Sequence, residues 1–178
     1  MSIGLKRGTV RLAPYDPAWA RQYAREAARI RKALGRRIVD IQHVGSTSVP
    51  GLLAKPVIHV AVAIRDLADV GRCIEPLEGL GYLYLGDQEN RGDHFFAKGP
   101  DRTRTHYVHV VESGGANWNE YLLFRDLLRR DPKLRDKYAR LKRRLAGSCT
   151  DDRKTYTKRK KPFIERVIER ANRPQQSN

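Results

Sequence analysis

The chain is poor in cysteine, in methionine and above all in acid. Its two cysteines, Cys73 and Cys149, stand far apart among 178 residues, and methionine occurs once. Two isolated thiols without metal-ligand spacing exclude a cysteine-rich zinc module and a disulfide-stapled scaffold, and read as reduced. No apolar run approaches the roughly 20 residues of a membrane span, so a membrane is not an expected partner. The first residues lack the apolar core of a secretory signal, and the expected compartment is the cytoplasm. Asp and Glu number 20 against 36 Lys and Arg, a formal net charge of +16. The strand-like stretch from Val57 to Ile64 contains no acid at all.

A field of that sign draws polyanions, and a nucleotide or other polyanionic small molecule is the expected partner. The basic excess is spread over 21–37, 125–144 and 153–161, and RRM, KH and zinc-finger signatures are absent. Nucleic acid is therefore not the favoured partner. The tract Lys158-Arg159-Lys160-Lys161 is interleaved with Tyr156, Phe163 and Ile164 at helical spacing, as in an amphipathic packing helix.

What is present is concentrated at 43–59, HVGSTSVPGLLAKPVIH. A loop of small residues there, rich in N–H and hydroxyl donors, leads through a lysine into a β-branched strand. Such a loop tolerates close approach by an anion and suits phosphate. Gly45, Ser46, Thr47, Ser48 and Lys55 are the candidate phosphate or nucleotide ligands. The loop is not a Walker A element, because five residues separate Gly45 from Gly51 and Leu52 follows the second glycine.

Around this loop the pattern predicts a helix over 17–34, capped by Asp16 and ended by Gly35, with Trp19, Tyr23, Ile30 and Leu34 on one stripe. Strands follow over 38–43 and 57–64. Asp66 opens a helix that Pro76 should kink or end. Residues 82–85 read as a strand, 95–98 and 105–111 as a hairpin, and three helices begin near Asn117, Asp131 and Asp151. Alternation places His59 with Val57, Ala61 and Ala63, opposite Ile58, Val60, Val62 and Ile64. The small alanines leave room for a ligand on the His59 face. His106 and His109, three apart, must face opposite ways.

The segment from Ile41 to Val62 is similar to the Gly-Ser entry of polymerase-beta-like nucleotidyltransferases, and more closely resembles the GrpB family within that superfamily. Residues 10–19, 91–99, 106–110 and 122–126, with Tyr138, Leu141, Lys142, Tyr156 and 160–164, extend the resemblance from about residue 10 to about residue 168. It implies one domain over 1–172, a polar tail over 173–178, and an α/β (α+β) nucleotidyltransferase-like fold. That fold is a mixed sheet of four to five strands packed on helices, with a C-terminal helical cluster. Arg91, Arg104 and Lys160 become further candidates for holding a polyanion, and His109 the expected neighbour of His59.

The chain departs from the family where the metal chemistry sits. His59 stands where an aspartate usually follows Lys-Pro-x-Ile, and Ala61 where the superfamily's second carboxylate would be. Magnesium prefers oxygen ligands, so it is not expected to bind strongly; imidazole suits a transition metal such as zinc, with His59, His109 and His94 as the ligands to consider. Two functions follow from the resemblance. One is nucleotidyl transfer to a small acceptor, with His59 and His109 replacing the carboxylates or acting as acid and base. The other is a non-catalytic binding protein for a nucleotide, a coenzyme A precursor or RNA phosphate. A GrpB-like segment fused to dephospho-coenzyme A kinases in some bacteria makes a coenzyme A-related ligand worth testing.

Overall fold

A computed structural model describes residues 3–100 and 102–173, so nearly all of the expected polar tail lies outside the described residues. The strands are β1 (Leu5–Lys6), β2 (Ile38–Val44), β3 (Ile58–Ile64), β4 (Tyr82–Asp87), β5 (His94–Lys98), β6 (Thr103–Arg104) and β7 (His106–Glu112). The helices are α1 (Ala18–Leu34), α2 (Gly71–Glu78), α3 (Ala116–Arg130), α4 (Pro132–Ser148) and α5 (Arg153–Asn172).

Local chemistry sets the boundaries. The Asp16 carboxylate accepts from the Ala18 N–H at 2.8 Å, starting α1, and Gly35 ends it at φ +57°. Asp131 and Asp152 accept from Leu134 and Thr155 to start α4 and α5. α2 stops two residues after Pro76, the early end that proline imposes.

Five strands form a mixed sheet in the order β2-β3-β7-β5-β4, and β1 pairs separately with β6. Only β3 and β7 run parallel. One face carries Ile58, Val60, Val62 and Ile64 with Val108, Val110 and Phe96, packed on Trp19, Ile30 and Leu34 of α1 and Cys73 and Leu77 of α2. Each large apolar side chain buried there contributes about 1.5–3 kcal/mol of transfer free energy. The other face lies under the C-terminal helices. This is the five-stranded mixed sheet packed on helices, with a C-terminal helical cluster, that the sequence implies.

The room expected beside the alanines is taken. Ala61 and Ala63 are fully buried with Val44 and Val111 beneath Trp118, Tyr121 and Leu122 of α3. Open space on this face begins at His59, which is only partly buried. Cys73 and Cys149 are both free and buried. Among the described residues no helix is long and apolar enough to cross a membrane.

Candidate anion site at the loop after β2

β2 runs into the loop at Val44, which pairs with His59 across the β2–β3 ladder. Gly45 follows at φ +69°, a backbone region that disfavours side chains, and a Cβ there would meet the His59 side chain at 3.4 Å. The positive φ calls for glycine; the contact with His59 is ordinary van der Waals packing. Residues Ser46–Ser48 then form a single 3-10 turn.

The three hydroxyls of this turn have different fates. Ser48 Oγ donates to the Gly45 carbonyl at 2.6 Å and closes the turn. Thr47 is buried, with its Oγ1 3.1 Å from His43 Nε2 and donating to the Val57 carbonyl. Neither side chain is turned to a ligand, which corrects the expectation for Thr47 and Ser48. Ser46 alone keeps a hydroxyl at the opening, where it accepts from Lys142 Nζ at 3.0 Å. Arg129 holds the loop from behind by donating twice to the Ser48 carbonyl, and Arg125 donates to the His43 carbonyl while pairing with Asp126. These arginines are structural. Burial, with Arg129 and Arg125 beside it, pushes His43 down to about 3, so it stays neutral against Tyr23.

Four cations converge on the opening from three segments. Lys55 precedes β3, Lys142 comes from α4, and Arg153 and Lys160 come from α5. The Tyr156 ring sits between Lys55 and Lys160, whose ammonium groups lie 5.2 and 5.1 Å from its centroid. Arg153 stacks over Tyr107 and donates to its hydroxyl at 2.6 Å. Lys142 is buried, donating to the Leu53 carbonyl as well as to Ser46. Among the described residues, none of the four forms an ion pair with a carboxylate.

That crowding has a titration signature. Burial first, then Lys160 and Arg153, pushes Lys55 down to about 6. Burial and Arg153 lower Lys160 to about 8, and burial with Lys160 and Lys55 takes Lys142 well below the usual lysine range. Like charges lie close together here without a carboxylate counterion among the described residues.

The second component lies on β3, β5 and β7. Register pairs Ala61 with His109 and Ile58 with His106, so His109 shares the His59 face and His106 does not. His59 Nδ1 and His109 Nε2 are 3.3 Å apart, and the rings are nearly parallel. Asp93, just before β5, lies 2.9 Å from His109 Nδ1, and Tyr121 of α3 donates to Asp93 at 2.6 Å. The carboxylate can only accept, so His109 carries its proton on Nδ1. In the neutral pair His59 Nδ1 then donates to His109 Nε2, and the lone pair of His59 Nε2 is left free. Burial, then His109 and the cations Lys55, Lys160 and Arg153, hold His59 well below the usual histidine range. Burial alone would raise Asp93; the charge and hydrogen bonds of His109 and the Tyr121 hydroxyl keep it low.

Two expected residues do not join. His94 pairs with Val110, on the sheet's other face, and shares a 2.7 Å hydrogen bond with Tyr84, so no three-histidine set forms. Among the described residues no group of three or more His, Cys, Asp or Glu is placed to hold a metal ion. Arg91 lies on the exposed 88–93 loop, 3.8 Å from Glu89. Arg104 is buried on β6, in a crevice with Lys55, Tyr107 and Arg153. The donor set does not fit magnesium either: His59 offers nitrogen, Ala61 a buried methyl group, and the Asp93 oxygens are engaged by His109 and Tyr121.

Residues 9–170 match the family described as GrpB protein. The chain belongs to the GrpB family. It is 42% identical over 165 residues to the UPF0157 protein PA4798 of Pseudomonas aeruginosa, covering 91% of this chain and 67% of that one. The crystal structure of conserved protein GrpB from Enterococcus faecalis superimposes with a TM-score of 0.83 at 33% identity, covering 90% of this chain and 96% of that one. A dephospho-CoA kinase of Mycolicibacterium paratuberculosis is 30% identical over 191 residues, where the match takes in 94% of this chain but only 47% of the kinase.

Lys142, Arg153, Tyr107 and Tyr121 were not among the residues that sequence reasoning assigned to the site. For two of them a signal existed. Lys142 lies at i+4 between Tyr138 and Leu145 on the buried stripe of α4, and Arg153 lies three before Tyr156 and seven before Lys160 on α5.

Proposed function

We propose that this GrpB protein binds the phosphate end of a nucleotide or of another phosphorylated small molecule at the mouth of the 45–48 loop. The observation that carries the reading is the mutual proximity of Lys55, Lys142, Arg153 and Lys160, with Lys142 on Ser46, and without a carboxylate partner among the described residues. A bound phosphate would supply the missing negative charge and offset the burial and mutual repulsion that depress the lysines. Ser46, with Gly45 permitting close approach, would orient it. Magnesium-dependent nucleotidyl transfer is not part of the proposal, because the donor set does not suit that ion. The similarity to a dephospho-CoA kinase makes dephospho-coenzyme A a ligand to include, and free buried thiols are compatible with a cytoplasmic setting.

Isothermal calorimetry with ATP, pyrophosphate and dephospho-coenzyme A tests the site on wild type, Ser46→Ala and Lys55→Ala. At least one ligand should bind, and Lys55→Ala should weaken it by roughly tenfold. Equal affinity across the three proteins refutes the site.

A further inference from the structure

A free imidazole nitrogen beside a cluster of cations suggests more than binding. The Asp93–His109–His59 chain fixes the tautomer of each ring and leaves only His59 Nε2 with an unused lone pair. That nitrogen makes none of the hydrogen bonds of the described residues, and it is not closed off from solvent, since the buried side-chain polar atoms without partners are Trp19 Nε1 and Gln22 Oε1. The His59 side chain packs on Gly45, beside Ser46, where the cations gather. We infer that His59 Nε2 is a nucleophile that takes a phosphoryl or nucleotidyl group from a phosphoric anhydride, in a reaction whose charge is balanced by the lysines and arginine rather than by a divalent ion. The inference rests on the binding reading above and adds chemistry to it.

The step balances with groups that the site supplies. The Nε2 lone pair attacks phosphorus, a P–N bond forms, and the P–O bond to the departing phosphate chain breaks with its electron pair on oxygen. Lys160 protonates that oxygen. The ring becomes cationic and keeps its Nδ1 proton directed at His109 Nε2, while Asp93 compensates the positive charge through His109 Nδ1. In the second half an acceptor hydroxyl, from water or a small alcohol, attacks phosphorus; the P–N bond breaks, Nε2 recovers its lone pair, and the hydroxyl proton restores Lys160. His59 is the catalytic residue. Asp93 and His109 are positioning residues that act through it.

A phosphoramidate is labile to acid and stable to alkali, whereas phosphoserine is stable to acid, so the linkage identifies itself. The full chain is incubated with ATP radiolabelled at the γ- or, separately, the α-phosphate, with EDTA present, and ATP binding is followed in parallel by calorimetry. The expected result is acid-labile label mapped to His59 by peptide mass spectrometry, from one of the two nucleotides. The γ label reports phosphoryl transfer and the α label nucleotidyl transfer. His59→Gln should remove it, Asp93→Asn should reduce it by roughly tenfold or more, and Asp93→Glu should recover part of it. ATP that binds without labelling His59 overturns this inference and leaves the binding reading intact. Label on another residue, or label that survives His59→Gln, also overturns it. Absence of ATP binding overturns this inference, and absence of pyrophosphate and dephospho-coenzyme A binding as well removes both.

Discussion

The two faces of the sheet both bury charge, and they treat it in opposite ways. On the α1 side, Glu26 is buried with Lys98 Nζ at 2.7 Å and the Tyr82 hydroxyl donating at 3.0 Å. The charges cancel, the hydrogen bonds are filled, and the cluster ties α1 to β4 and β5. On the loop side, Lys55, Lys142, Arg153 and Lys160 have one another for neighbours and no acid. The first arrangement is complete within the chain; in the second no carboxylate among the described residues balances the cations, and the proposal above assigns that role to an anion. Buried charge that the fold alone does not balance is therefore the mark of the site, and it separates the site from a packing ion pair more cleanly than residue type does.

The comparison breaks most easily by removing one partner on each side. Lys98→Met leaves the buried Glu26 carboxylate with only the exposed Arg29, 3.5 Å away, as a cation and should destabilise the protein by about 3 kcal/mol in denaturant unfolding. Lys160→Met removes one of several repelling cations, so stability should hold or rise slightly while affinity for the phosphorylated ligand falls by roughly tenfold. If Lys160→Met destabilises as much as Lys98→Met, the two clusters are alike and the contrast is lost.

A second pair concerns the missing carboxylates. Ala61 is fully buried against α3, so Ala61→Asp places a carboxylate in an apolar contact and should cost about 2–4 kcal/mol. His59 is only partly buried and faces the opening, so His59→Asp should fold with a smaller loss, and it should improve magnesium binding measured by calorimetry. A stable Ala61→Asp protein would mean that α3 does not seal this face as the packing requires. No gain in magnesium binding by His59→Asp would show that the loop side is set against divalent ions by more than the ligand at 59.

Much of this was legible in the sequence, and the rest was hidden for definite reasons. Strand alternation separated the Ile58–Ile64 core face from the His59 face, and the three-residue spacing of His106 and His109 allowed only one of them to meet His59, the family resemblance picking His109. Alternation and spacing both rest on the fixed period of a strand. The hydroxyls of Thr47 and Ser48 were not legible, because whether a hydroxyl points to ligand or to backbone is settled by the turn. His94 was misplaced for a related reason: it starts β5, and only its register with Val110 sends it to the far face. Lys142 and Arg153 reach the site across three helices whose packing angles leave no local trace, although a lysine on an apolar stripe was a visible anomaly.

The smallest expected effect is also the one that reads the unpaired cluster directly. In the empty protein Lys55 lies at about 6 and Lys160 at about 8, against an ordinary 10.5 in the unfolded chain. Between those values the unfolded chain holds protons that the folded chain does not, so stability rises with pH across this window. The penalty is fully present below about 6 and vanishes above 10.5, where both states are neutral. A bound anion favours the ammonium form and lifts both lysines toward their ordinary range, which shrinks the difference between the states. Melting temperatures measured from pH 6 to pH 9.5 in a buffer without phosphate should climb by a few degrees more than those of Lys55→Met, and pyrophosphate at saturating concentration should flatten the wild-type rise. The Glu26–Lys98 pair sits on the other face and contributes equally to both curves. Parallel curves with and without pyrophosphate, in a protein that demonstrably binds it, would mean that the anion sits elsewhere and that the four cations are balanced in some other way.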